Sequence, residues 1–236
     1  MDTPPRHQPV VAIDGPVGSG KSTVARLLAD RLGFLYIDTG AMYRAAAWKA
    51  LRAGLDLEDH TAVAALIGQT RIELERGDDE VRVRCDGQEV TKEIRRPEVS
   101  RATSPVADNP GVRQRLVTLQ REMGRRGGVV VEGRDIGTVV FPDAEIKVFL
   151  YARPEDRARR RMEELRAAGL DVSYDETLRD LVDRDDRDQN RPIGALRVAE
   201  GAVLIDSSNL TIEDVVRQLE ERVRRLHVNG GSVRIP

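Results

Sequence analysis

Eight consecutive residues constrain this chain more than any others. Gly15-Pro-Val-Gly-Ser-Gly-Lys21-Ser22 fits the spacing G-x-x-x-x-G-K-[ST], and Thr23 follows it. A β-branched run, Val10–Ile13, leads in, and an amphipathic helical pattern of Val24, Leu27, Leu28 and Leu32, closed by Gly33, leads out. Glycines let the backbone curl until successive N–H groups face phosphate oxygens, and the helix N-terminus adds partial positive charge. The stretch Gly15, Pro16, Val17, Gly18, Ser19, Gly20, Lys21, Ser22 and Thr23 is therefore expected to hold a nucleoside triphosphate. Lys21 neutralises the outer phosphates and Ser22 is the candidate Mg²⁺ ligand.

Four further apolar runs, Phe34–Ile37, Val129–Val131, Ile146–Leu150 and Val203–Ile205, lack the alternation of a half-exposed strand. They predict buried strands of a parallel sheet covered on both faces. Helical patterns lie between them. One runs through Val112, Leu116, Leu119 and Met123; another, from Ile212 to Leu226, opens with Thr211 and Asp214 in capping-box spacing. Strands alternating with helices predict an α/β fold of the P-loop nucleoside triphosphate hydrolase type, with five parallel core strands. From Arg71 to Val90 the rhythm changes to Ile72, Leu74, Val81, Val83 and Cys85 among polar residues, with turns at Gly77–Asp79 and Asp86–Gly87. That stretch predicts a small antiparallel meander. The 236 residues fit one domain over 9–226, with loose tails at 1–8 and 227–236.

Composition narrows the function. With 38 basic and 40 acidic residues and 3% aromatics, a nucleic-acid partner is not expected. No apolar run approaches the roughly 20 residues a membrane span needs, and the start carries no signal-peptide pattern. One cysteine excludes an internal disulfide or a cysteine-built metal site, and points to a cytoplasmic setting. A guanine-reading Asn-Lys-x-Asp string is missing, which argues against a GTPase. What remains is a small transferase.

Only four of the basic residues are lysines, and certain arginines stand where ligands bind. Asp38-Thr39-Gly40-Ala41-Met42-Tyr43-Arg44 follows the second strand, where Asp38 or Thr39 can cap a helix carrying Arg44. Glu132-Gly133-Arg134-Asp135 leaves the third strand at the carboxyl edge of the sheet, where open α/β sheets bind ligands. Arg184, Asp188 and Arg191 share a helical stripe if the helix reaches that far. Arg157, Arg160 and Arg161 share a helix face after Pro154. Each cluster has a plain alternative, a solvated charged face or a cap, and spacing alone does not decide between them.

Taken together, IDGPVGSGKST, IDTGAMYR, GRDIGTVVFPDA and RDDRDQNR resemble the bacterial cytidylate kinases over roughly Val10 to Leu226. The resemblance implies the reaction of ATP with CMP or dCMP to give ADP and CDP or dCDP, with Mg²⁺, in a monomer. It also implies a nucleoside-monophosphate-binding insertion at about 65–108 and a short helical lid at about 154–170. By the same resemblance Arg44, Arg134 and Arg191 hold the CMP phosphate, with Thr39 beside them. Ser104, Arg113 and Asp135 read the cytosine, and Arg184 with Asp188 contacts the sugar. Lys21, Arg134, Arg157 and Arg161 form the catalytic set. Glu132 departs from the aspartate frequent in the family. The rival readings are a P-loop kinase for adenylate, shikimate or a nucleoside, and an RNA-binding module that uses its arginines as a basic surface.

Overall fold

The computed structural model describes residue 6 and residues 8–77, 81–167 and 169–229. It resolves into two compact units, one formed by residues 1–34 with 127–236 and the other by Leu35–Arg126.

In the first unit β1 (Val10–Asp14) is buried along its whole length. It pairs in parallel with β6 (Val129–Gly133) and β7 (Ile146–Tyr151), and β7 pairs in parallel with β8 (Val203–Asp206). The sheet has five strands in the order β2-β6-β1-β7-β8, the expected parallel core, with β2 (Leu35–Asp38) the segment that begins the second unit. Only β1 and β6, in the middle of the sheet, are covered on both faces, so their residues need not alternate toward water. The expectation of full burial fails for β2, β7 and β8, where Leu35, Tyr151 and Leu204 are exposed. The edge strands β2 and β8 have fewer neighbours to cover them, and β7 lies beside one of these edges. Helices α1 (Lys21–Leu32) and α8 (Ile212–Asn229) pack on each other. Gly33 closes α1 in the left-handed conformation, at φ 66°. Reciprocal bonds between Thr211 and Asp214 open α8, which continues three residues past Leu226. Helix α6 (Pro154–Ala167) packs against α7 (Tyr174–Asn190). The remainder of the expected tails, 1–5, His7 and 230–236, lies outside the described residues. Arg6 pairs with Asp143 at 2.9 Å.

The second unit contains the meander, β3 (Ile72–Arg76), β4 (Val81–Cys85) and β5 (Gln88–Glu89), in that order and antiparallel. The turn at Asp86–Gly87 has positive φ at both positions, 50° and 80°, as a tight two-residue hairpin requires. The other expected turn falls largely on residues 78–80, outside the described residues. Around the meander stand α2 (Thr39–Arg52), α3 (His60–Gln69), α4 (Pro97–Asp108) and α5 (Pro110–Gly124). Buried Asn109 caps α5 through Gly111 and Val112 and donates to the His60 carbonyl, fixing α3 to α5.

Candidate active site

The loop after β1 is shaped by close approach. A Cβ at Gly15 would sit 2.0 Å from the Leu150 carbonyl oxygen, so only glycine fits there. Gly20 precedes α1 at φ 90°, no side chain caps that helix, and its first turn carries no acid. Its N-terminal field is thereby left positive for an anion. Lys21 is 5% exposed, and its Nζ donates to the Pro16 carbonyl at 2.6 Å and to Ser19 Oγ at 3.4 Å. Burial, and then the field of Arg134, push its pKa down to about 7, against the pull of Glu132 and Asp14. Ser207, just past β8, donates to the Ser19 carbonyl at 2.9 Å and holds the loop from the far side.

Ser22 Oγ donates to Glu132 Oε2 at 2.9 Å. A hydroxyl beside a carboxylate is a hard oxygen pair of the kind Mg²⁺ prefers, so the residues present fit that ion. The longer glutamate side chain at this position reaches the serine.

Arg134 follows Gly133 at the end of β6. Its Nε donates to Asp188 Oδ2 at 2.7 Å, while Arg191 donates to Asp188 Oδ1 at 3.1 Å. Helix α7 stops at Asn190, one residue before Arg191, yet the stripe of Arg184, Asp188 and Arg191 stays together. Burial alone would raise the Asp188 pKa; Arg134, Arg191 and Arg184 more than reverse that and hold it below the usual carboxylate range. Arg184 and Arg134 both act on Lys21 as well, so the phosphate loop and the arginine group share one positive field.

The helix face after Pro154 is used unevenly. Arg157 is 3% exposed and acts as a strut, donating to the Ala152 and Val17 carbonyls and pairing with Asp185 at 2.7 Å. Arg160 donates to the Ser207 carbonyl. Arg161 is half-exposed and pairs with Glu164 at 3.0 Å. The structure therefore joins Arg157 to the phosphate loop and turns Arg161 toward solvent.

The second unit carries Thr39 and Arg44 on α2, Ser104 on α4 and Arg113 on α5, and α2 packs on both of the other helices. Asp38 caps α2 through Ala41 at 2.8 Å, and its other oxygen accepts from Arg44 at 3.0 Å. Thr39 is buried at the start of that helix. Arg113 is buried on α5, its guanidinium over the Tyr43 ring at 5.6 Å. Ser104 is half-buried on α4.

A family model described as "Cytidylate kinase" matches residues 11–225. The chain belongs to the cytidylate kinase family. It is 55% identical over 216 residues to the cytidylate kinase of Pelotomaculum thermopropionicum, covering 91% of this chain and 96% of that protein. A bifunctional pantoate ligase/cytidylate kinase of a Synechococcus strain is 48% identical over 236 residues, covering 99% of this chain and 44% of that longer protein. Among solved structures, an uncharacterized protein from Eubacterium ventriosum superposes with a TM-score of 0.51 at 13% identity, covering 92% of this chain and 99% of that one, a likeness of fold alone.

Three features of this cytidylate kinase family member escaped the reading of the sequence. Glu132 meets Ser22 across 110 residues of chain. Asp185 pairs with Arg157 from inside a run of alternating charges. Asp14 did leave a signal, a carboxylate closing a strand that is otherwise wholly apolar.

Proposed function

We propose that the protein transfers the γ-phosphoryl group of ATP to CMP or dCMP, giving ADP and CDP or dCDP. The observation that carries this reading is the group of Arg134, Arg184 and Arg191 around buried Asp188, two of which also act on buried Lys21, in a chain of this family.

An oxygen of the CMP phosphate attacks the γ-phosphorus, and the bond from that phosphorus to the ADP oxygen breaks. The second pKa of a phosphate monoester is near 6, so the attacking oxygen is already mostly deprotonated at neutral pH and no general base is needed. The obstacle is charge. Two anions at ~4 Å repel by about 4 kcal/mol per unit charge pair at an effective dielectric of 20. Arg44, Arg134 and Arg191 oppose this on the acceptor phosphate, beside Thr39, and Lys21 opposes it on the donor. A lysine with a pKa near 7 takes up a full charge once phosphate oxygens lie beside it. Mg²⁺ held by Ser22 and Glu132 would add Lewis-acid stabilisation of the transferred group.

Ser104, Arg113 and Asp135 read the cytosine. Arg184 and Asp188 take the sugar; each Asp188 oxygen keeps a lone pair beyond its arginine bond. Residues Gly15 to Thr23 take the ATP phosphates. Arg157 steadies that loop and Arg161 completes the set on the lid helix, about 154–170, while about 65–108 serves as the monophosphate-binding insertion. The enzyme acts as a cytoplasmic monomer. No described helix is long and apolar enough to cross a membrane. A coupled assay of ADP release with CMP, dCMP, UMP, AMP and shikimate tests the reading. Turnover is expected with CMP and dCMP well above the rest; faster turnover with AMP or shikimate would overturn it.

A further inference from the structure

Asp14 has no part in the reaction as described, yet it stands at the junction of both nucleotide sites. It is 3% exposed and leads directly into Gly15. Its backbone lies in register with Gly133 of β6 and Phe149 of β7. Its carboxylate reaches beyond the end of β6: Oδ1 accepts from the Ile136 N–H at 2.8 Å and Oδ2 from the Gly137 N–H at 2.7 Å. Those two amides open the π-helical turn Ile136–Val140, to which Asp135, in the capping position, contributes no side-chain bond.

The segment Arg134-Asp135 is therefore bracketed by a single residue. Strand register fixes Gly133 on one side, and the Asp14 carboxylate fixes Ile136 and Gly137 on the other. We infer that Asp14 is a positioning residue for the acceptor nucleotide, clamping Arg134 and Asp135 in the geometry that receives CMP and tying them to the strand that launches the phosphate loop. This rests on the reading that those two residues bind CMP.

Two observations support a role beyond simple capping. A neutral serine or asparagine could satisfy a turn, whereas burial and the charge of Asp135 oppose ionisation of this carboxyl. The turn that Asp14 holds is also closely packed: a Cβ at Gly137 would lie 3.0 Å from the Ala199 Cβ, while Asp14 Oδ2 would stand at an ordinary contact distance of 3.4 Å. Glycine at 137 permits the approach.

The test is Asp14→Asn, which keeps the shape and one acceptor but turns an N–H₂ group toward the second amide. In the full-length enzyme the KM for CMP should rise by about tenfold or more, because small misplacements of binding groups are costly, while the KM for ATP stays within about twofold. Hydrogen exchange at Ile136 and Gly137 should accelerate. In an Arg134→Ala background the Asp14→Asn effect on the CMP KM should shrink, leaving the part carried by Asp135, since one of the two groups that Asp14 positions is then gone. An equal rise in both KM values, a loss confined to kcat, or a full effect persisting without Arg134 would overturn the inference. If Asp14→Asn does not fold, Gly137→Ala presses on Ala199, displaces the turn whose amides Asp14 holds, and must give the same split between the two substrates. A wild-type enzyme inactive toward CMP would defeat the parent reading as well, whereas normal wild-type turnover with an unsplit variant defeats this inference alone.

Discussion

Ionisation of Asp14 should weaken the fold it helps to organise. Burial raises its pKa from 3.8 to about 6, outweighing the amides of Gly137 and Ile136; the charge of Asp135 adds to the rise and that of Lys21 opposes it. The stem of Lys147 also lies near Gly137. An acid whose folded pKa lies above its unfolded one gives stability that is complete below the unfolded pKa and is lost as pH climbs through the folded one. A rise of roughly two pH units corresponds to about 3 kcal/mol, lost between about pH 4 and pH 7. Asp14→Asn removes the ionisation, so subtracting its urea-unfolding free energy from that of the wild type cancels the other titrating groups. The difference should shift toward the variant by about 3 kcal/mol over that range, whatever its value at pH 4. A difference that stays flat, or shifts toward the wild type, would show that the two amide bonds match or exceed the burial penalty and would refute the reasoning.

Three other outcomes follow from the same contacts. Arg134→Ala should lower kcat/KM for CMP by about 10²–10³-fold, the usual loss when a preorganised donor is removed, with ATP affinity within about twofold; an unchanged rate would contradict its role. Glu132→Gln should raise the Mg²⁺ concentration needed for half-maximal rate by about tenfold or more, read from a metal titration, and an unmoved titration would remove Glu132 from the ion's surroundings. Asp188→Ala leaves the Arg134 and Arg191 guanidiniums facing each other without their shared anion. Urea unfolding should show a loss of about 3 kcal/mol, and a loss under about 0.5 kcal/mol would mean that the pair contributes little.

The parts of this molecule legible in the sequence are those whose physics is local. The phosphate loop needs glycines at fixed offsets, so its residues announce themselves. The central strands β1 and β6 read as unbroken apolar runs because both faces are covered, and the hairpin turn at Asp86–Gly87 needs the two positive φ values that this pair tolerates. Helices α3 and α4 were harder. The first is a short apolar stretch without a clear polar face, and the second carries Pro105 in its interior, which breaks the expected pattern. Within the candidate site the arginines could be nominated from their positions, but their partners could not. Ser22 with Glu132, Arg134 with Asp188 and Arg157 with Asp185 each join elements far apart in sequence, helix to strand end or helix to helix, and no spacing along the chain encodes that. For the same reason Arg157 and Arg161, alike on a helical wheel, differ in the fold. One is buried against the phosphate loop and the other meets water.

The central claim is that guanidinium groups hold the acceptor's phosphate for attack on ATP. A crystal structure with CMP and a non-hydrolysable ATP analogue tests it most directly. The account predicts CMP phosphate oxygens about 3 Å from the guanidinium nitrogens of Arg134 and Arg191, with the analogue's phosphates along Gly15–Ser22. CMP seated away from those arginines, or failing to bind at concentrations that saturate turnover, would contradict it.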